Sequence, residues 1–430
     1  MAIENDLPPL ATICDAYGLT DPSDRDAVER MHSTFRDHHA RFVTSIARDM
    51  LRDLRQEVAA NPQTKVLFLG RDGYSLSIAV RTLDPEFFRD HCKDGVLSRA
   101  VAEAAVQDLE QNGGKSFPQV SGFRENTASV SPEDVAGSYQ QLTRYLRGQV
   151  GVDVGVPGSR VILVDSCLKG TVQELLSATY PETEFEGRYM FYDGIDSDPH
   201  PGTKLGYVLH RDEGVGGGLF ELPDDPQLTF GYLGAIRTIE NSLQGPLGSP
   251  KALDDNGPVQ RRLVDEQDRT YGINPILAEP VYLKPQVREA CKVAALRSVH
   301  DAAADVRDGA PLDTAAVQRE FTQDVRAWLT HAPDQKPELK ALLDNFVHRD
   351  DHRLVRQVDK ALHGSGLSPE QQTQIWQSFE VASTLPEKQS VLGTAQAMRQ
   401  QAKGSGAGGT AAANQAAKTE RTEQKGFQIG

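Results

Sequence analysis

Two short segments of this sequence combine charged residues with glycine in the way that anion-binding sites require. The first is Gly70-Arg71-Asp72-Gly73-Tyr74, which follows an apolar run, and the second is Asp165-Ser166-Cys167-Leu168-Lys169-Gly170-Thr171. In each segment an acid and a base stand beside a glycine that can lead into a helix. Backbone N–H groups and the positive end of the helix dipole bind phosphate at such a helix start. The two segments therefore predict a site for a phosphorylated small molecule.

The second segment offers the stronger candidate ligands. Asp165 would hydrogen-bond ribose hydroxyl groups or hold a divalent metal ion. Lys169, Gly170 and Thr171 would hold a monophosphate through a positive charge, backbone N–H groups and a hydroxyl. Lys169 could equally be a solvated loop lysine. The segment is not a Walker A loop, because the pattern G-x-x-x-x-G-K-[ST] is absent.

The other candidates carry structural alternatives. Arg71, Gly73 and Arg99 would neutralise a second anionic group, but Arg71 and Asp72 could merely pair with each other, and Arg99 could pair with Asp72 or Asp165. Glu240 could be a general base or a buried acid. The candidate catalytic residues are Asp165, Asp72 and Glu240, with Asp165 as the metal ligand. The candidate ligand-binding residues are Arg71, Gly73, Ser98, Arg99, Ser166, Lys169, Gly170, Thr171 and Gln173, of which Gln173 could instead face water.

Alternating strands and helices must position these residues. Apolar runs predict strands at 65–69, 95–99, 160–165, 189–192 and 205–209. The run at 160–165 is apolar on both faces, which is typical of a central parallel strand covered by helices. Helical spacing follows the first and third strands and also fills 27–60. This alternation predicts an α/β fold: a mainly parallel sheet with helices on both faces.

The chain divides into four predicted regions. Residues 1–24 form an N-terminal arm, 25–280 the α/β domain, 284–402 an all-helical domain and 403–430 a disordered tail, because the tail has almost nothing to bury. The helical region could contact a protein partner or form a cap over the α/β site.

Composition limits the partners. The net charge of −15 argues against nonspecific binding to nucleic acid or to an anionic membrane. No run reaches the roughly 18 apolar residues of a membrane span. The four cysteines are scattered and suit a reducing compartment, and no signal peptide is evident, so we expect a cytoplasmic protein.

The motifs resemble those of known families. An apolar run, Asp165, a short loop and Gly170-Thr171 resemble the ribose-phosphate loop of type I phosphoribosyltransferases, and the 70–74 segment resembles their pyrophosphate loop. The closer resemblance is to a bacterial domain found behind haloacid-dehalogenase-like domains in proteins associated with polysaccharide biosynthesis and glycosyltransferases. Its pattern, [AS]-R-D-G-Y, then S-R, then D-x-G-x-x-G-[ST]-x-Q, corresponds to Gly70–Tyr74, Ser98-Arg99 and Asp165–Gln173. Ile239-Glu240-Asn241-Ser242-Leu243 also resembles that domain, and the likeness spans about 30–300.

The resemblance implies a phosphoribosyltransferase-like fold and a transferase. Such an enzyme would bind phosphoribosyl diphosphate or a nucleotide sugar, with Mg²⁺, and catalyse glycosyl or phosphoribosyl transfer or cleavage. The sequence departs from the pattern, because phosphoribosyltransferases usually have a second acid where Ser166 stands, and Cys167 replaces a glycine. A non-catalytic binding module that retains the fold is therefore an alternative. A haloacid-dehalogenase-like phosphatase with Asp72 as nucleophile is a weaker one, because Tyr74 occupies the position of the second acid.

Overall fold

The structure of the protein is a computed structural model. It describes residues 7–124, 130–166, 168–211, 240, 242–262, 278–329, 332–333, 335–346, 357–359, 361–362, 365–382 and 387–400. Cys167 and the predicted disordered tail at 403–430 lie outside the described residues.

Helices precede the sheet and pack on one of its faces. They are α1 (Leu10–Ala16), α2 (Pro22–Phe35), a π-helical segment (Arg36–Ala40) and α3 (Arg41–Ala60). Asp21 caps α2, because its side chain accepts a hydrogen bond from the Ser23 N–H at 2.9 Å. The predicted apolar stripe of α3 is buried, with Phe42, Ile46 and Met50 at 1% exposure or less. Burial of that stripe fixes the helix against the sheet.

Strands and helices then alternate along the chain. They are β1 (Lys65–Gly70), α4 (Tyr74–Leu83), α5 (Pro85–His91), β2 (Cys92–Val96), α6 (Arg99–Gln111), α7 (Ser121–Arg124), α8 (Ser138–Arg144), β3 (Ser159–Asp165), α9 (Thr171–Thr179), β4 (Thr183–Asp193) and β5 (Lys204–Arg211). A π-helical segment (Tyr145–Val150) extends α8, and a short hairpin of β6 (Leu253–Asp254) and β7 (Gly257–Pro258) follows later.

The first five strands form one parallel sheet in the order β2-β1-β3-β4-β5, which confirms the predicted α/β fold. Along β1, Val66 and Phe68 join the core on one face, whereas Leu67 and Leu69 join the core on the other. The strand order reverses between β1 and β3, since β2 lies on one side of β1 and β3 to β5 extend on the other. Ligands of open α/β sheets bind outside the carboxyl ends of the strands at such a switch point. Both candidate segments begin there.

The second strand differs from its predicted position. It covers Cys92–Val96 instead of 95–99, and Val96 lies opposite Gly70 of β1. The shift has a local cause, because the Ser98 hydroxyl accepts a hydrogen bond from the Val101 N–H at 3.1 Å and so caps α6. Ser98 and Arg99 therefore start a helix rather than end a strand.

The chain folds into two compact units, Met1–Leu329 with Asp334–His348, and Thr330–Pro333 with Arg349–Gly430. The first unit contains the sheet together with α10 (Pro285–Arg307), α11 (Thr314–Leu329) and α12 (Pro337–Phe346). The sequence predicts a domain boundary near 284, but α10 packs its apolar residues into the same core as α2 and α4.

The second unit is helical where it is described. It contains α13 (Pro369–Val381) and a helix at 387–400. Its core consists of Val358, Ala361, Leu362, Ile375, Phe379, Leu392 and Ala395. The structure thereby confirms helices at the C-terminal end of the fold, and no described helix is long and apolar enough to cross a membrane.

Candidate functional site

A glycine holds the turn after β1 against the end of β3. Gly73 donates its N–H to the Leu69 carbonyl oxygen at 2.7 Å. A Cβ atom on Gly73 would lie 2.7 Å from that oxygen and 2.9 Å from the carbonyl oxygen of Val164. Both separations are too short for a carbon atom, so only glycine allows this close approach. The N-terminus of α4 therefore lies at the switch point.

Arg71 is half-buried in this turn, and its peptide bond with Gly70 is cis. The Arg71 Nε donates to Oδ1 of Asp72 at 3.2 Å, so the two residues do pair with each other. The terminal nitrogens of Arg71 make no hydrogen bond or ion pair with the described part of the chain. Those two nitrogens are well suited to bind a phosphate. Arg71 thus joins the turn through one donor and leaves others for a ligand.

Asp165 ends β3 among other acids. Its Oδ1 accepts a hydrogen bond from the Ser166 N–H at 2.7 Å. Burial raises the pKa of Asp165 well above its ordinary value, and the nearby carboxylates of Asp72 and Glu240 raise that pKa further against the opposing effect of Arg71. Asp165 therefore keeps its proton to a higher pH than an exposed aspartate does, and a bound cation would favour its release.

Ser166 links Asp165 to the distant Glu240. The Ser166 side chain donates its hydroxyl to Oε1 of Glu240 at 3.2 Å, and the residue is only 1% exposed. The structure thus brings the three candidate catalytic acids, Asp72, Asp165 and Glu240, to one place. Both donors of Ser166 are used within the protein, so its part is to organise these acids.

The N-terminus of α9 begins at a glycine with a positive φ. Gly170 has a φ of +73°, and a Cβ atom there would lie 2.6 Å from Cε of the buried Lys204, so this position requires glycine. No side chain among the described residues caps the N-terminus of α9. Lys169 is exposed, Thr171 is half-buried, and neither side chain pairs with a described residue. The N–H groups of this helix start are therefore available to an anion.

Two of the proposed ligand-binding side chains are engaged elsewhere. Gln173 is fully buried, donates to the Thr203 hydroxyl at 2.9 Å and accepts from the Tyr189 hydroxyl at 3.0 Å. The Ser98 hydroxyl donates to the Pro250 carbonyl oxygen at 2.6 Å, in addition to capping α6. These bonds give both residues structural roles.

Arg99 is placed differently from its neighbour Ser98. It is exposed at the first position of α6, beyond the carboxyl end of β2. Its side chain makes no hydrogen bond or ion pair with the described residues, so the alternative pairing with Asp72 or Asp165 is not formed there. Arg99 is therefore available at the same edge of the sheet as Arg71.

Lys292 of α10 is a residue of the site that the sequence does not predict. Lys292 is 9% exposed and interacts electrostatically with Arg71 and Asp72 of the turn after β1. Burial, together with the nearby charges of Arg288 and Arg71, lowers the pKa of Lys292 to about 7. Its one sequence signal is a lysine within the apolar run Ala290–Leu296 of a helix. Because the sequence assigns that helix to another domain, this signal does not connect it with the site.

The donor set fits Mg²⁺ only if the ligand helps to hold it. In the described ranges no three acidic, histidine or cysteine side chains are grouped to hold a metal ion. Mg²⁺ is, however, commonly bound by one or two carboxylates and completes its octahedral shell with water and substrate phosphate oxygens. Asp165, once deprotonated, offers such a carboxylate at the end of β3.

Comparison with known proteins does not assign the chain to a family. No protein-family model matches the chain, and no curated protein matches it significantly. The chemistry of the site is therefore inferred from its geometry.

Proposed function

We propose that the first unit binds a phosphorylated sugar or nucleotide, of the phosphoribosyl diphosphate or nucleotide-sugar type, at the carboxyl edge of its sheet. One observation carries this proposal: cationic groups at this edge lack partners among the described residues. They are the terminal nitrogens of Arg71 and the side chains of Arg99 and Lys169. In a chain with a net charge of −15, such a local cluster favours a small anion over a nucleic acid.

Two anionic groups would bind at separate places. A monophosphate would lie at the N-terminus of α9, held by backbone N–H groups of Gly170 and Thr171 and by Lys169. A second phosphate group would lie at the turn after β1, held by the terminal nitrogens of Arg71. This arrangement suits a sugar that carries phosphate groups at two positions.

We propose transfer or cleavage at the anomeric carbon of that sugar. The bond from this carbon to the leaving oxygen breaks, the leaving group keeps the electron pair, and the acceptor forms the new bond with its own lone pair. Glu240 would take the acceptor's proton, and Asp165 would hold the sugar hydroxyls. Arg71 would stabilise the charge that develops on the leaving group. Asp165 would hold Mg²⁺, which would supply positive charge to the ligand's phosphate oxygens.

Calorimetric titration of the full chain with phosphoribosyl diphosphate and with nucleotide sugars, with and without Mg²⁺, tests this proposal. We expect Arg71→Ala to lower the affinity roughly 10- to 100-fold, the effect of removing hydrogen bonds from a charged donor. Arg89→Ala is the control, because Arg89 lies at the end of α5, near the opposite edge of the sheet, and pairs with Asp90 at 2.8 Å. The proposal fails if no such ligand binds, or if Arg71→Ala binds as tightly as the control.

Binding without turnover is a second candidate function. It is favoured by Ser166, which stands where a second acid would help catalysis and whose donors are already used by Asp165 and Glu240. The helices of the second unit would then contact a protein partner. Release of phosphate or diphosphate from any of the ligands above would exclude this candidate.

We propose a cytoplasmic location for the protein. Cys14, Cys92 and Cys291 are buried free thiols, and burial raises the pKa of each. Their unpaired state suits a reducing compartment. Nucleotide sugars and phosphoribosyl compounds are phosphorylated ligands of the kind that the proposed site would take.

A further inference from the structure

Tyr74, the first residue of α4, lies across the end of β1. A Cβ atom on Gly70 would be 2.5 Å from Cε1 of Tyr74 and 2.8 Å from its hydroxyl oxygen. The tyrosine ring thus fills the space that a side chain at position 70 would occupy. Tyr74 is half-buried, and its hydroxyl lies at the edge of the sheet that carries Arg71.

The Tyr74 hydroxyl makes no hydrogen bond with any described residue. The neighbouring Tyr145 differs, because its hydroxyl accepts the Val96 N–H at 2.8 Å and so belongs to the framework of the fold. The Tyr74 hydroxyl oxygen is not fully buried, so a ligand at this edge of the sheet can reach it and replace water there. The geometry of Tyr74 therefore suits a partner supplied by a ligand.

The charges around Tyr74 indicate the chemistry of that partner. Burial raises the pKa of Tyr74, and Asp94, Tyr145 and Asp72 raise it further, so the phenol remains a hydrogen-bond donor at neutral pH. The two acids are each paired with an arginine, Asp94 with Arg81 and Asp72 with Arg71. A hydroxyl group between paired charges suits an uncharged oxygen better than another phosphate, which would need a cation of its own.

We propose that Tyr74 is a specificity-determining residue that donates its hydroxyl to a sugar hydroxyl of the ligand, beside the phosphate group held by Arg71. This inference rests on the proposed function and adds a selectivity to it. The site then prefers a sugar phosphate to inorganic diphosphate, because inorganic diphosphate has no sugar hydroxyl for Tyr74 to bind.

The test is to titrate Tyr74→Phe with phosphoribosyl diphosphate and, separately, with inorganic diphosphate. The substitution keeps the ring and removes only the hydroxyl. We expect the affinity for phosphoribosyl diphosphate to fall about 3- to 10-fold, the range for one neutral hydrogen bond, while that for inorganic diphosphate stays the same. Equal affinities in variant and unmodified protein for both ligands would overturn the inference, and so would an equal loss for both.

A second variant changes a different residue but displaces the same hydroxyl group. Gly70→Ala would displace the Tyr74 ring, and we expect it to lower the affinity for phosphoribosyl diphosphate to a similar degree. In the Tyr74→Phe background it should add little to the loss of selectivity, because both changes remove the same contact. An additive loss of selectivity would count against the assigned contact.

Controls separate this inference from the proposed function. Tyr139→Phe removes a hydroxyl from a residue whose ring contacts Tyr180, after the end of α9 and so near the opposite edge of the sheet, and it should leave both affinities unchanged. Arg71→Ala should weaken both ligands. If the unmodified protein binds neither ligand, the proposed function falls and the inference with it. If it binds both and Tyr74→Phe does not change the selectivity, the inference alone falls.

Discussion

The arginines at the two edges of the parallel sheet differ in how many ion pairs they form. At the amino edge, Arg160 at the start of β3 pairs with Glu186 and, at 2.8 Å, with Glu57 of α3. Arg188 of β4 reaches the same two acids, Glu57 at 3.1 Å and Glu186 at 2.9 Å. At the carboxyl edge, Arg71 uses only its Nε in an ion pair, and Arg99 pairs with no described residue.

This difference separates structural charges from charges that can serve a ligand. The amino-edge network satisfies each charge with a partner from another element, which ties α3 to the two central strands. At the carboxyl edge the turns at Gly73 and Gly170 hold Arg71 and Lys169, and the terminal nitrogens of Arg71 and the side chain of Lys169 pair with no described residue. The same residue type therefore stabilises the fold at one edge and is available for binding at the other.

The largest effect that we expect tests the amino edge. Arg160→Ala leaves Glu57 and Glu186 with one cation fewer in a largely buried network, and we expect it to lower the free energy of unfolding by about 3 kcal/mol. Urea denaturation measures this loss, and Arg144→Ala, which breaks an exposed pair with Asp255, should cost about 0.5 kcal/mol or less. The folded fraction of Arg160→Ala should keep its ligand affinity. An affinity loss as large as that of Arg71→Ala would contradict the division between the edges.

A smaller expected effect compares the contributions of two cationic residues at the carboxyl edge to ligand affinity. Lys169 is an exposed point charge, whereas Arg71 is half-buried, so Lys169→Ala should lower the affinity for phosphoribosyl diphosphate only about 3- to 10-fold. Calorimetric titration at low and at high salt measures this difference, and the Lys169 contribution should shrink more with salt. If Lys169→Ala leaves the affinity unchanged at low salt, Lys169 is a solvated loop lysine.

The smallest effect concerns pH. Because the pKa of Asp165 is raised in the folded protein, the native state binds more protons than the unfolded chain from about pH 4, the ordinary aspartate value, up to the raised pKa. Stability contributed by this group is therefore lost as the pH rises through that window. Asp165→Asn removes this dependence and should raise the melting temperature by a few degrees near pH 7, but not near pH 4. Parallel pH profiles for the two proteins in thermal denaturation would contradict this assignment.

Local patterns predicted the sheet because each strand carries its own signal. The apolar run at 160–165 required a buried strand, and the structure has it as β3 (Ser159–Asp165). The position of β2 was wrong by three residues, because Ser98 caps the following helix, and a serine is equally compatible with a strand end. Gly73 and Gly170 were recognised as turn residues, although the atoms that exclude a side chain there come from other elements.

The sequence predicts only those parts of the candidate site that follow from the order of strands and helices along the chain. Asp72, Asp165 and Glu240 do lie together, but Gln173 is paired in the core by residues of β4 and of the following loop, which no local pattern shows. Lys292 could not be placed, since a helix far along the chain gives no sign of which elements it will pack against. Tertiary contacts of this kind lie beyond the reach of local periodicity.

The packing of α10 has a consequence for how this chain reaches its native state. The Tyr282 hydroxyl donates to the Ala27 carbonyl oxygen at 3.0 Å, His32 pairs with Asp301 at 3.1 Å, and Arg48 donates to the Leu312 carbonyl oxygen at 2.9 Å. The apolar faces of α2 and α4 are therefore covered by α10, whose residues leave the ribosome long after those two helices. During synthesis these faces stay uncovered until α10 emerges, and exposed apolar surface of this kind favours aggregation. A fragment that stopped at residue 280 would keep the same apolar faces exposed.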